Sequence, residues 1–190
     1  MSKKALVLLA EGFEEVEAIT PINYLKRAGV AVTVASINSS LTVKGARAEL
    51  NVIADITLEK LAPGACCFDA IIIPGGIPGA EKLAACKRIS TLLIDMADAG
   101  KLICAICASP AIVLAPLGLL SGKKFTCYPG MEEKVTGAQW SDNRVVTDGN
   151  LITSRAAGTS GEFSIAIISA LLGKDTAKKI ADLVLENFKK

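Results

Sequence analysis

The chain has 190 residues, 51% of them hydrophobic, enough to bury one sizeable core and too few for two comfortable domains; a single domain spanning 1–190 is expected. Lys and Arg number 21 against 19 Asp and Glu, interspersed, so the net charge of +2 carries no electrostatic footprint for nucleic acid or an anionic membrane. The absence of histidine excludes histidine-dependent metal sites, the Ser-His-Asp triad and the Cys-His dyad, and leaves acid/base chemistry to carboxylates, Tyr or Lys.

Aromatic residues make up only 4%, so the apolar content is aliphatic, as suits parallel strands covered by helices on both faces. The start, Met-Ser-Lys-Lys, runs straight into a strand-like segment, and no apolar run reaches membrane-spanning length. A cytosolic protein with no membrane partner is expected, its six cysteines (Cys66, Cys67, Cys86, Cys104, Cys107 and Cys127) held as thiols.

Lys4 to Ala10 reads as a strand, Glu15 to Ala28 as a helix stopped by Gly29, and Val30 to Ala35 as a second strand: a βαβ opening. Pro21 is expected to kink that helix or reset its start. Leu41 to Ile53 alternates around Lys44-Gly45 and predicts a hairpin projecting from the sheet, a candidate interaction surface. Ala70 to Ile73 is a buried-type strand ended by Pro74-Gly75-Gly76; helices follow over Glu81 to Ala85 and Ile89 to Ala99, then a strand over Leu102 to Ile106. Ala108 to Ala115 reads as a helix, Phe125 to Cys127 and a pair around Asp148-Gly149 as strands, and helices from about Gly158 and about Asp175 close the chain. The sum is a doubly wound α/β sheet, in which ligands gather outside the carboxyl ends of the strands.

Three loops then share one crevice: Glu11 to Glu17, Gly75-Gly76, and Ala105-Ile106-Cys107-Ala108-Ser109. The last has the form of a nucleophile elbow, a thiol among small residues at a strand-to-helix turn, and the following helix N-terminus is expected to favour the thiolate. A buried structural cysteine belongs inside the strand, where Cys104 falls, whereas Cys107 falls at the turn. Cys104 and Cys107 also form a C-x-x-C, but redox motifs open a helix with both cysteines, which disfavours a dithiol here. No second C-x-x-C exists to complete a zinc site. Gly75 and Gly76 could turn backbone N–H groups toward a developing oxyanion. Glu14 and Glu15 are accounted for by the helix dipole. Glu17, three residues after Glu14, could turn inward; to assist Cys107 it must be protonated by desolvation and donate a hydrogen bond to the sulfur, so that the two titrate as a pair.

These residues resemble the ThiJ/PfpI superfamily, in the branch of the parkinsonism-associated protein deglycase and its bacterial relatives. The resemblance spans essentially the whole chain. It rests on Ala5-Leu6-Val7 with Glu14-Glu15-Val16-Glu17, Leu25-Lys26-Arg27-Ala28-Gly29, Ile73-Pro74-Gly75-Gly76 with Gly79-Ala80, Ala105-Ile106-Cys107-Ala108, and Thr153-Ser154-Arg155 with Gly158-Thr159. It implies a flavodoxin-like sandwich, a homodimer, and a site of Cys107, a protonated Glu17 and backbone donors near Gly76 and Ala108. Arg47 matches an arginine near that pocket, and Arg155 one in the motif that closes it. The activities implied are cofactor-independent conversion of methylglyoxal to lactate, repair of early glycation adducts, and peroxide sensing through cysteine sulfinate; chaperone activity is also known among relatives. Two departures stand out. Tyr128 occupies the place where many members of the branch have histidine, which leaves its hydroxyl to position substrate. Ala108 occupies the place of the peptidase branch's histidine, so proteolysis is not expected.

Overall fold

The computed structural model describes residues 2–61 and 67–186. Its centre is a seven-stranded sheet in the order β10-β11-β7-β6-β1-β2-β5, built from β1 (Lys4–Leu9), β2 (Ala31–Ser36), β5 (Ile56–Thr57), β6 (Ala70–Ile73), β7 (Leu102–Ile106), β10 (Val145–Asp148) and β11 (Leu151–Ser154). All neighbours pair in parallel except β10, which runs antiparallel to β11 at one edge. The expected α/β, flavodoxin-like, mostly parallel sheet between helices is therefore the fold.

Strand alternation sorts the core into two layers. Ala5, Val7, Leu9, Ile72 and Ile106 face the layer packed by α1 (Glu15–Arg27), α4 (Ser160–Leu172) and α5 (Lys174–Leu183). Leu6, Leu8, Ile71, Ile73 and Ala105 face the opposite layer, which holds α2 (Gly79–Ala85) and α3 (Lys87–Asp98). The predicted hairpin forms as β3 (Thr42–Lys44) paired antiparallel with β4 (Asn51–Ile53), apart from the main sheet.

Three expectations change. The first helix is not restarted at Pro21 but continues through it from Glu15 to Arg27, with Pro21 buried on the face that also carries Ala18 and Leu25. Beyond the elbow there is no regular helix over Ala108 to Ala115, but a π-helical segment, Pro110–Leu114, and a 3-10 turn, Ala115–Leu117, each with a proline in its opening turn. The strand expected at Phe125 to Cys127 shortens to β8 (Lys124–Phe125), paired with β9 (Gln139–Trp140) in a sheet of their own. There the Thr126 N–H donates to the Thr153 hydroxyl at 2.9 Å, a side-chain bond in place of a ladder bond.

Candidate active site

Cys107 is the first residue past β7, and its backbone is left-handed, with φ 64°. A non-glycine residue there costs about 1–3 kcal/mol and persists only where its surroundings hold it. They do so from three sides: its N–H donates to the Ser154 carbonyl (2.9 Å), its carbonyl accepts from the Tyr128 N–H (2.8 Å), and the Ser109 hydroxyl donates to the Pro74 carbonyl (2.6 Å). The turn lifts the Cys107 side chain to a half-buried position between the two core layers.

The carboxyl that meets it comes from α1. Glu14 caps this helix, its carboxylate accepting from the Glu17 N–H at 2.7 Å, and Glu17, 1% exposed, turns inward three positions later. Glu17 Oε2 accepts from the Gly75 N–H at 2.9 Å. The Ala157 N–H and the Cys107 sulfur lie close enough to its carboxyl to bear on its titration. Gly75 is the residue that permits the approach, because a Cβ there would lie 2.6 Å from Cys107 Cβ and 2.7 Å from Glu17 Oε2. Gly76, at φ 89°, fills a second such gap: a Cβ would stand 2.6 Å from the Gly12 carbonyl oxygen and 2.7 Å from the Phe13 carbonyl carbon.

Burial pushes the Glu17 carboxyl up to about 7; the charge of Glu14 adds to this, and the bonds from Cys107, Gly75 and Ala157 oppose it. Burial also pushes the Cys107 thiol up, followed by the charge of Glu17 and the hydrogen bond to it, against N–H groups of Ala108 and Gly76 that favour the thiolate. Desolvation is the largest of these effects, so the thiolate expected from sequence is opposed by burial and favoured by the Ala108 and Gly76 N–H groups. The repulsion from Glu17 acts only while Glu17 is ionised, so the two groups titrate together.

The remaining candidates separate. Gly75 presents no free N–H to a substrate, since Glu17 has taken it, whereas the N–H groups of Gly76 and Ala108 face the sulfur. Tyr128 is fixed to the elbow through its backbone and is 49% exposed at the mouth. The Arg155 guanidinium donates to the Asp142 carbonyl at 2.8 Å. Arg47 is exposed, held by its backbone N–H against the Glu15 carboxylate (3.1 Å). Among the described residues, neither arginine bonds to Cys107 or Glu17. Cys104 lies fully buried in β7, as expected for a core thiol; Cys127 is buried with its thiol pushed up to about 12, by burial first and then by the charge of Glu132. Cys67 is exposed, Cys86 half-buried, and Cys66 lies outside the described residues.

Two contributors escaped the sequence. Glu15 does more than complement a dipole: its buried carboxylate accepts from the Arg47 and Ala48 N–H groups and moors that loop to α1, and these bonds keep its pKa low despite the opposing effect of burial. Ala157 delivers its N–H to Glu17 from the turn before α4; its place between Arg155 and Gly158 in the closing motif was the available signal. An open groove of about 1050 Å³ between β10, α4 and α5 is lined by none of these site residues.

A left-handed cysteine on an elbow, a buried glutamate from α1 and a glycine loop between them define a class, and the chain belongs to it: residues 3–170 match the DJ-1/PfpI family. It is 41% identical over 180 residues to Protein DJ-1 homolog A of Arabidopsis thaliana, covering 95% of this chain and 45% of that one, so it spans about half the length of that relative. It is 37% identical to the glutathione-independent glyoxalase DJR-1.2 of Caenorhabditis elegans, covering 94% of each chain. The solved structure of oxidized DJ-1 from Toxoplasma gondii superposes with a TM-score of 0.92 at 37% identity, covering 97% of this chain and 98% of that one. Among the described residues no helix is long and apolar enough to cross a membrane.

Proposed function

We propose that the chain is a cysteine-dependent, cofactor-independent glyoxalase or deglycase, acting on methylglyoxal-type α-oxoaldehydes or their early glycation adducts. One observation carries the reading: the buried Glu17 carboxyl and the elbow cysteine close on the same glycine, a Cβ on Gly75 standing 2.7 Å from Glu17 Oε2 and 2.6 Å from Cys107 Cβ, a base beside a nucleophile. Similarity to a glyoxalase along nearly its full length supports it.

In this scheme the Cys107 sulfur bonds to the aldehyde carbon, the thiol proton passes through Glu17 to the former carbonyl oxygen, and a hemithioacetal results. The Gly76 and Ala108 N–H groups stabilise the oxyanion as it develops. Glu17 then removes the hydrogen from that carbon and returns it to the adjacent ketone carbon, while the hemithioacetal hydroxyl gives up its proton and the ketone oxygen takes one. The first carbon is thereby oxidised to a thioester and the second reduced to an alcohol, with no external oxidant. Water cleaves the thioester, releasing lactate and the free thiol. On a glycated amine the same attack would free the amine. The test is methylglyoxal loss and lactate formation without glutathione, with Cys107→Ser beside wild type: turnover should fall at least about 10³-fold, and full activity in the variant would sink the scheme.

A second reading rests on the same pair. Peroxide could oxidise Cys107 to sulfinate, two peroxides yielding two waters, with Glu17 donating a short hydrogen bond to the acid; a relative has been solved in an oxidized form. Peroxide titration with peptide mass mapping decides it, and oxidation of exposed Cys67 ahead of Cys107 removes its basis. Homodimerisation belongs to the same proposal, through α1 and the hairpin, where Val16, Ile19, Leu50 and Ile53 are exposed; sedimentation as a monomer would refute it.

A further inference from the structure

The segment that closes the site carries two hydroxyls that the chemistry above leaves unused. Ser154 ends β11 and Thr159 immediately precedes α4; both are buried, and their oxygens stand 2.6 Å apart across the turn between them. The Thr159 hydroxyl donates to the Ala156 carbonyl at 2.8 Å and accepts from the Ala156 N–H at 3.1 Å. Its single proton is thereby spent, so Ser154 is the donor in the pair, its own proton shared with the Arg144 carbonyl at 3.0 Å.

Both ends of this turn reach the reactive pair. The Ser154 carbonyl accepts the Cys107 N–H at 2.9 Å and so helps to hold the left-handed elbow. At the other end, the Ala156 carbonyl and the Ala157 N–H belong to one planar peptide group. Thr159 grips the carbonyl edge of that plane twice, with its hydroxyl and with its N–H, each at 2.8 Å. The opposite edge presents the Ala157 N–H, which bears on Glu17. Holding one edge of a rigid plane fixes where the other points.

We propose that Thr159 is a positioning residue for the Cys107–Glu17 pair: its buried hydroxyl sets the peptide plane that turns the Ala157 N–H toward the Glu17 carboxyl, and through Ser154 it braces the elbow. The inference rests on the proposed function only in taking Cys107 and Glu17 as the reactive pair. The titratable groups that bear on Glu17 are Glu14 on its own helix and Cys107 on the elbow, with N–H groups from Gly75 and Ala157. Arg144 and Glu162, beside the same turn, pair with each other at 2.6 Å. An N–H favours the ionised carboxyl, so releasing the Ala157 plane raises the Glu17 pKa.

The experiment follows alkylation of Cys107 by iodoacetamide between pH 5 and 9, read by peptide mass mapping. In wild type the rate should climb through a midpoint near 7 as Glu17 ionises. Thr159→Val keeps the shape but not the hydroxyl, and should move the midpoint up by about one pH unit, the scale of one backbone N–H on a carboxylate. Thr159→Ser, which keeps the hydroxyl, should restore it. Ser154→Ala, which removes the partner hydroxyl but leaves the carbonyl on Cys107, should shift it in the same direction by less, and carries the test alone if Thr159→Val does not fold. An unmoved midpoint in the folded variants, a shift that Thr159→Ser retains, or no limb near 7 in wild type overturns the proposal. A restored shift without lactate formation upholds Thr159 and sinks the glyoxalase reading; lactate formation with an unmoved midpoint does the reverse.

Discussion

The two ends of the sheet solve the problem of polar groups in opposite ways. At the amino ends, Asp69 accepts from the Lys4 N–H at 2.9 Å and pairs with Lys3 and Lys101 at 3.4 and 3.7 Å, in partly exposed contacts that keep its pKa low. At the carboxyl ends, Glu17 is buried with its pKa raised, and Cys107 holds a backbone conformation that few side chains adopt. One end is arranged for stability. The other keeps a carboxyl and a thiol out of water at the expense of stability, as expected where the chemistry needs groups poised to exchange a proton.

The sharpest way to break this contrast is the pH dependence of stability. The folded-state pKa of Glu17, about 7, lies above the ordinary carboxyl value of 4.5, so the folded protein holds a proton that the unfolded chain has lost. Stability is therefore fullest below pH 4.5 for this group and falls as the pH rises through 7, by about 3 kcal/mol. Denaturant titrations across that range should show the fall, and Glu17→Gln should flatten it; an equal slope in the variant would place the burden elsewhere. Next in size is Gly75→Ala, whose Cβ meets Cys107 Cβ at 2.6 Å and Glu17 Oε2 at 2.7 Å. A loss of about 1–3 kcal/mol is expected, read by thermal melting, together with reduced activity as the pair is forced apart. Smallest is Lys3→Met, which removes a 3.4 Å pair with a side chain 44% exposed; the expected change in melting free energy is under about 0.5 kcal/mol.

Much of the contrast was legible in the chain. Apolar runs of strand length with Gly and Pro at their ends located β1, β6 and β7, and the cysteine after β7 marked the elbow because a core thiol would fall inside the strand, as Cys104 does. Glu17 was legible through its spacing from Glu14 on a helix that opens at the carboxyl edge. What stayed hidden depends on distant partners or on a balance of opposing terms. Glu15 looked like a dipole residue because its partners Arg47 and Ala48 lie more than thirty positions away. The helix drawn over Ala108 to Ala115 gave way to π and 3-10 turns around Pro110 and Pro116. The direction of the thiol pKa was hidden as well, because desolvation outweighs the N–H groups that favour the thiolate. Pro21 misled in the other sense, since local propensity allows a restart there, whereas the helix continues through a buried proline.

The central claim is that Cys107 and Glu17 act as one pair whose reactive form carries a single proton, formed as the pH rises through about 7. The direct measurement is the pH dependence of kcat/KM for lactate formation in wild type and Glu17→Gln. The account predicts a rate that climbs about tenfold per pH unit below 7 and levels above it in wild type, with that limb lost in the variant. A wild-type rate independent of pH from 5 to 9, or the same limb in both proteins, would contradict it.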